Sequence, residues 1–231
     1  MTPSQRLPPG LSDCLGELGL SLRGGFVFAD GEDAPAGPAG APAKSLLLIG
    51  NGGGAMWREF SAWLDRQPDI MADPLDSWTV ETIGGLAAHY GARAVYPNDR
   101  PWHPFQRWAM RAEGLKASPL GVLMHPEYGL WHAYRAALLF DVELSIQAPQ
   151  AMNHPCDQCV DQPCLTACPV GAYSLSGFDA AACAAHLRSA DIEERPHGGC
   201  SARNACPVGA AYRYAPAQQA FHKRAFMRAR G

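Results

Sequence analysis

Cysteine is almost missing from the first two-thirds of this 231-residue chain: of eight cysteines, Cys14 stands alone and seven fall between 156 and 206. A disulfide framework needs an oxidising compartment and usually a small secreted chain, and neither is indicated. No apolar run approaches the roughly 20 residues that cross a bilayer. The opening MTPSQRLPPGLSDCLGELGL has no basic segment followed by an apolar one, so no secretory signal is expected and the chain reads as cytoplasmic, without a membrane partner. The formal net charge is only −3, and no basic stripe marks a nucleic-acid surface.

What is present suits a globular protein. Apolar residues make up 47%, enough for a core, and the length suggests one or two domains. The 24 glycines and 20 prolines gather in turns without a collagen-like period. The spacing predicts a helix over 12–20 with Ser12 as its N-cap, then a turn into a strand over 24–28. GEDAPAGPAGAPAK (31–44) reads as a loop. SLLLIGNGGG (45–54) is a strand ending in a glycine turn, followed by a helix over 56–67 with Trp57, Phe60 and Leu64 on one face. Such a unit can cradle a phosphate, but the Walker lysine and GxGxxG are both missing, so a tight structural turn is the simpler reading. Helices over 79–91 and 104–114 flank a short strand over 92–97. Strands over 119–125 and 130–140 are expected to be joined by the turn PEYG. All six tryptophans, Trp57, Trp63, Trp78, Trp102, Trp108 and Trp131, lie before residue 147; they suit a core, and one or two could face a flat cofactor. The tail 215–231 reads as a helix whose late basic residues suit its dipole. The expected fold class is α+β: an N-terminal α/β sandwich-like body over 1–146, then a cysteine-rich domain over 147–231 that ends in a helix.

The cysteines carry the chemistry. HPCDQCVDQPCLTACPVGA (154–172) has the spacing C-x2-C-x4-C-x3-C-P, and CSARNACPVGA (200–210) closes on the same CPVGA phrase. The bacterial ferredoxin run is C-x2-C-x2-C-x3-C-P, and in two-cluster ferredoxins the cysteine before proline ligates the other cluster. On that logic Cys156, Cys159, Cys164 and Cys206 hold a first 4Fe-4S cluster. Cys168, Cys183 and Cys200 start a second site. Its fourth ligand is missing, because Arg203 stands three residues after Cys200. Fe3S4, a cube completed by His186 or His197, or an empty site all fit, and thiolates around a vacancy could also take zinc. Zinc sites of four cysteines prefer two separated CxxC pairs, whereas one clean CxxC is present here. Cys14 reads as an ordinary thiol that reaches the deficient site only if the N-terminus folds back.

The cysteine region resembles bacterial-type ferredoxin modules. With NDRPWHPFQRWAMRAEGL (98–115) and LMHPEYGLWHAYRAALLFDVEL (123–144), it resembles the epoxyqueuosine reductase family over about the last 130 residues. That resemblance implies a cobalamin-binding α/β domain ahead of a two-cluster ferredoxin domain. It also implies Asp99 as a proton donor near the corrin, with tRNA as a partner. Cluster one maps to Cys156, Cys159, Cys164 and Cys206; cluster two maps to Cys168, Cys183 and Cys200, with Arg203 where the family has its fourth cysteine. The chain departs from the family at LKASPLGV (115–122), where the glycine–lysine phrase is absent, and the family's C-terminal helical repeat region is missing.

Three functions are therefore in view. In the first, clusters relay single electrons to a cofactor in the N-terminal body, plausibly a corrinoid, with Asp99 as acid and His125, Tyr128 and His132 as cofactor contacts. In the second, the chain is a ferredoxin-like carrier that exchanges electrons with a donor or acceptor protein. In the third, the cluster is structural and the chain is an interaction module.

Overall fold

The computed structural model describes residues 5–68, 71–150, 152–189 and 199–229. It is an α+β protein, 38% helical and 19% strand. The chain separates into two compact units. The first comprises Met1–Gly114 and Ala133–Met152, and the second comprises Leu115–His132 and Asn153–Gly231. Among the described residues no helix is long and apolar enough to cross a membrane.

The first unit is built on a four-stranded sheet, β1 (Ser21–Val27), β2 (Ser45–Gly52), β6 (His132–Phe140) and β3 (Arg93–Val95) in spatial order. β1 pairs antiparallel with β2, and β3 antiparallel with β6. SLLLIGNG forms an interior strand because nearly every residue is apolar or small, and all but the last are buried. Around the sheet lie α1 (Leu11–Glu17), α2 (Ala55–Leu64), α3 (Pro74–His89) and α4 (Phe105–Glu113). Arg23 of β1 is fixed against α4 by a bidentate bond to Glu113, at 2.8 and 3.0 Å, and the Tyr134 hydroxyl donates to the same carboxylate. Ionic hydrogen bonds of this kind hold a buried guanidinium that would otherwise be costly to desolvate.

Local chemistry moves several expected boundaries. Gly10, at φ +78°, caps α1 in place of Ser12. Pro74 begins α3, its fixed φ suiting the first turn, and Thr79 lies mid-helix with its hydroxyl donating to the Leu75 carbonyl at 2.7 Å. The buried face of α2 is Met56, Phe60 and Trp63, not Trp57, Phe60 and Leu64. The strands expected over 119–125 and 130–140 do not form a hairpin. Pro119 and Gly121 occupy a turn from Ser118 to Val122, so only Leu123–Met124 (β5) is extended there, and it pairs with Lys116–Ala117 (β4). β6 runs instead with β2 and β3.

The second unit contains α5 (Pro163–Thr166), the hairpin β7 (Tyr173–Ser174) and β8 (Gly177–Phe178), α6 (Ala180–Arg188), α7 (Ser201–Ala205) and α8 (Pro216–Arg228). Its core gathers Leu120, Met124, Leu130, Cys164, Ala202 and Cys206. Gly129 and Gly209 let two turns meet. Both have positive φ, +57° and +68°, and a Cβ on either would strike the backbone of the other turn.

Candidate metal centres

Cys156 lies in a 3₁₀ turn over Pro155–Gln158, Cys159 caps it, Cys164 lies in α5, and Cys206 ends α7. All four line one small cavity of about 20 Å³, together with Met124, Leu130 and four prolines. Cys164 and Cys206 are buried. Burial pushes the Cys156 thiol up to about 11, and the neighbouring Cys206, Cys164 and Cys159 push the same way. Burial likewise raises Cys164 and Cys206. Thiols whose ionisation is held back in this way, at Cys156, Cys164 and Cys206, are a donor set suited to a cationic core, which would relieve the repulsion.

Cys168, Cys183 and Cys200 line a second cavity of about 240 Å³. They come from the loop after α5, from α6, and from the N-cap of α7. Tyr173 lies among them: burial raises its phenol, as do Cys200, which shares a hydrogen bond with it, Cys183 and Cys168. The seven clustered cysteines are thus divided four and three between two cavities of one unit. His186 lines the second cavity, whereas His197 lies outside the described residues. Among the described residues no group of three or more His, Cys, Asp or Glu is placed to hold a metal ion.

Arg203, His222 and Lys223 also line the second cavity. Reading the late basic residues of the tail only against the helix dipole leaves His222 and Lys223 without a site. In the structure Gln218, Gln219 and Lys223 of α8 are buried, at 0, 7 and 8% exposure. Polar residues recurring at i, i+3 and i+4 from Gln219 to Lys223 were the available signal.

The other candidates lie elsewhere. Cys14 is in the first unit, its sulfur 3.5 Å from the Tyr90 hydroxyl. Asp99 is also there, accepting from the Tyr96 amide at 2.8 Å and standing 4.0 Å from His103. His125, Tyr128 and His132 are in the second unit. His125 Nδ1 accepts from the amides of Glu127 and Tyr128, both at 3.1 Å, and its ring stacks on Tyr128 at 4.4 Å. His132 is buried and donates from Nε2 to the Leu123 carbonyl at 2.8 Å. Four of the tryptophans, Trp63, Trp78, Trp108 and Trp131, are core residues, while Trp102 is 64% exposed.

No protein-family profile matches the chain. No curated protein matches it either. Among solved structures it is similar to the B12-trafficking protein CblC of C. elegans, with TM-score 0.53 and 13% identity over 94% of this chain and 92% of that one. At that identity the likeness establishes a shared fold. Epoxyqueuosine reductase structures are also similar. The one solved with a tRNA-Tyr stem loop has TM-score 0.45 and 19% identity over 75% of this chain, and the Bacillus subtilis enzyme has 0.44 and 18% over the same share. This chain spans about half the length of those enzymes, 51% and 50%.

Proposed function

We propose that this chain is an iron–sulfur redox protein that relays single electrons. The observation that supports it is the division of seven cysteines, four and three, between two cavities of the second unit. Cys156, Cys159, Cys164 and Cys206 would hold a 4Fe-4S cluster, and Cys168, Cys183 and Cys200 a second cluster of three or four irons. When bound, such clusters supply one-electron transfer at potentials set by charge, hydrogen bonding and burial. The protein's own contribution is to bury Cys164 and Cys206 among Leu120, Met124 and Leu130, which keeps water from those two thiols.

In this reading the first unit is the cofactor-holding or docking domain, and the second, which takes in 115–132, the ferredoxin-like domain. A corrinoid is the first ligand to test in the body, because CblC, which shares the fold, traffics B12. Asp99 is the proton donor we assign to the first unit. The His125–Tyr128 stack, with His132 beside it, is the cofactor-contact surface we assign to the second. Its partners would be a cytoplasmic electron donor or acceptor protein. A tRNA substrate follows only if the chain shares the chemistry of the enzyme bound to a tRNA stem loop.

The test is purification without oxygen, followed by iron, sulfide, zinc and cobalt analysis and EPR of the reduced protein. About seven or eight irons with sulfide support two filled sites on the cluster arithmetic. Zinc without sulfide would overturn the proposal. Added cobalamin that binds and gives a reduced-cobalt signal favours the enzyme; clusters that titrate without any second cofactor favour the carrier.

A further inference from the structure

The two cysteine runs close on the same CPVGA phrase, but their openings differ at one position. Cys159 follows Cys156 by three residues, and Arg203 follows Cys200 by three. The second cavity consequently has three thiols where the first has four. A 4Fe-4S cube takes four protein ligands, so one iron of the second site is left for another side chain.

Arg203 cannot supply it. A guanidinium has no lone pair to donate to iron. Its plane is also turned onto the rings of Trp131 and Tyr214, 4.4 and 4.8 Å away, while Nη2 donates to the Leu130 carbonyl. The wall beside it is α8, which presents Gln219, His222, Lys223 and Phe226 to the cavity. These are positions i, i+3, i+4 and i+7, a single helix face. That face is seated on the α7 side. Gln219 Oε1 accepts from Nδ2 of Asn204, the neighbour of Arg203, at 2.9 Å. The Tyr214 ring, which receives the Arg203 guanidinium, lies 5.6 Å from the His222 ring. His222 thus stands on the side of the cavity that position 203 would serve. The second imidazole, His186, is on α6 one turn beyond Cys183, the side already provided with a thiol.

We propose that His222 is the fourth protein ligand of the second cluster, giving a site of three cysteines and one histidine. This rests on the iron–sulfur reading above. A neutral imidazole replaces an anionic thiolate, so the cluster has one negative charge fewer than the first. Lys223 and Arg203 line the same cavity, while no charged side chain lines the first among the described residues. Lower negative charge raises a cluster's potential, as histidine ligation does elsewhere. The second site is the more easily reduced, and electrons entering the pair settle there.

The experiment uses the full chain reconstituted with iron and sulfide without oxygen, with histidine nitrogen isotopically labelled. Pulsed EPR of the reduced protein is expected to show strong nitrogen coupling in the wild type and in His186→Ala, and none in His222→Ala. His222→Cys is expected to retain a four-iron second cluster without nitrogen coupling. Its higher midpoint should fall by a tenfold change in equilibrium or more, about 59 mV for one electron. Coupling that survives in His222→Ala, or a complete second cube without coupling in the wild type, overturns the assignment. So does a His222→Cys protein with no second cluster. A wild-type chain that takes up no sulfide fails at an earlier step, and the iron–sulfur reading falls with it.

Discussion

Replacing Gly209 by alanine should loosen the first cysteine site through the backbone alone, without touching a thiol. Gly209 has φ +68°, and a Cβ built on it would lie 2.6 Å from the Gly129 nitrogen and closer still to the Tyr128 carbonyl. Adopting the left-handed conformation with a side chain costs about 1–2 kcal/mol. Overpacking against atoms that cannot rotate away adds about 1–3 kcal/mol. The sum, about 2–5 kcal/mol, is a large share of the roughly 5–15 kcal/mol that stabilises a typical domain. Cys206 sits three residues before Gly209 and lines the four-cysteine cavity. Urea unfolding of the metal-free chain should show a lower midpoint. Iron release to a chelator from the loaded chain should quicken at the first site more than at the second. Gly129→Ala should behave alike, because its Cβ would fall on the Val208 carbonyl. The two substitutions break one shared contact, so the double variant should cost clearly less than their sum. Full additivity, or a Gly209→Ala protein that melts and holds iron like the wild type, would refute the reasoning.

Other expectations are briefer. Glu113→Gln leaves the Arg23 guanidinium, whose side chain is 3% exposed, without its carboxylate. Breaking a buried pair from one side should cost about 3–5 kcal/mol by denaturant titration, and replacing both partners by methionine should recover much of that. Cys14→Ser should leave iron and sulfide content unchanged; a loss of iron would bring Cys14 into the cluster sites. His103 stacks on Trp108, and burial lowers its pKa below the ordinary 6.5, against the opposing pull of Asp99. The unfolded chain therefore takes up this proton first as pH falls. The contribution is complete above about pH 6.5 and is lost as pH drops through the folded value. Metal-free protein should lose stability in acid, and less of it in His103→Gln.

How much of this was legible in the sequence depends on what kind of signal each element leaves. β2 and α4 were plain, because continuous burial and a helical apolar period are written in composition. The partition of cysteines followed from two CPVGA endings, a repeat visible without coordinates. The segment 115–132 misled, since Leu123 and Met124 read as part of a longer strand while Pro119 and Gly121 fold the chain into turns. Its membership of the second unit depends on contacts with residues more than 70 positions away, such as Leu130 with Arg203. Local periodicity carries no such information. The polar face of α8 was hidden for the opposite reason. Gln219, His222 and Lys223 look like surface residues one at a time, and only the cavity beside them gives the stripe a meaning.

The four thiols of the first cavity come from both ends of a segment 50 residues apart, Cys156 and Cys206. During synthesis at about 5–20 residues per second, three of them emerge and then wait roughly 2–8 s for the fourth. Throughout that interval the nascent chain displays a half-made site whose thiols are open to oxidation or to the wrong metal. On the iron–sulfur proposal, whatever delivers iron and sulfide must either arrive after Cys206 or shield the first three until then. Closure at that moment pins a long stretch of chain in one step, so maturation and folding of this segment become a single timed event.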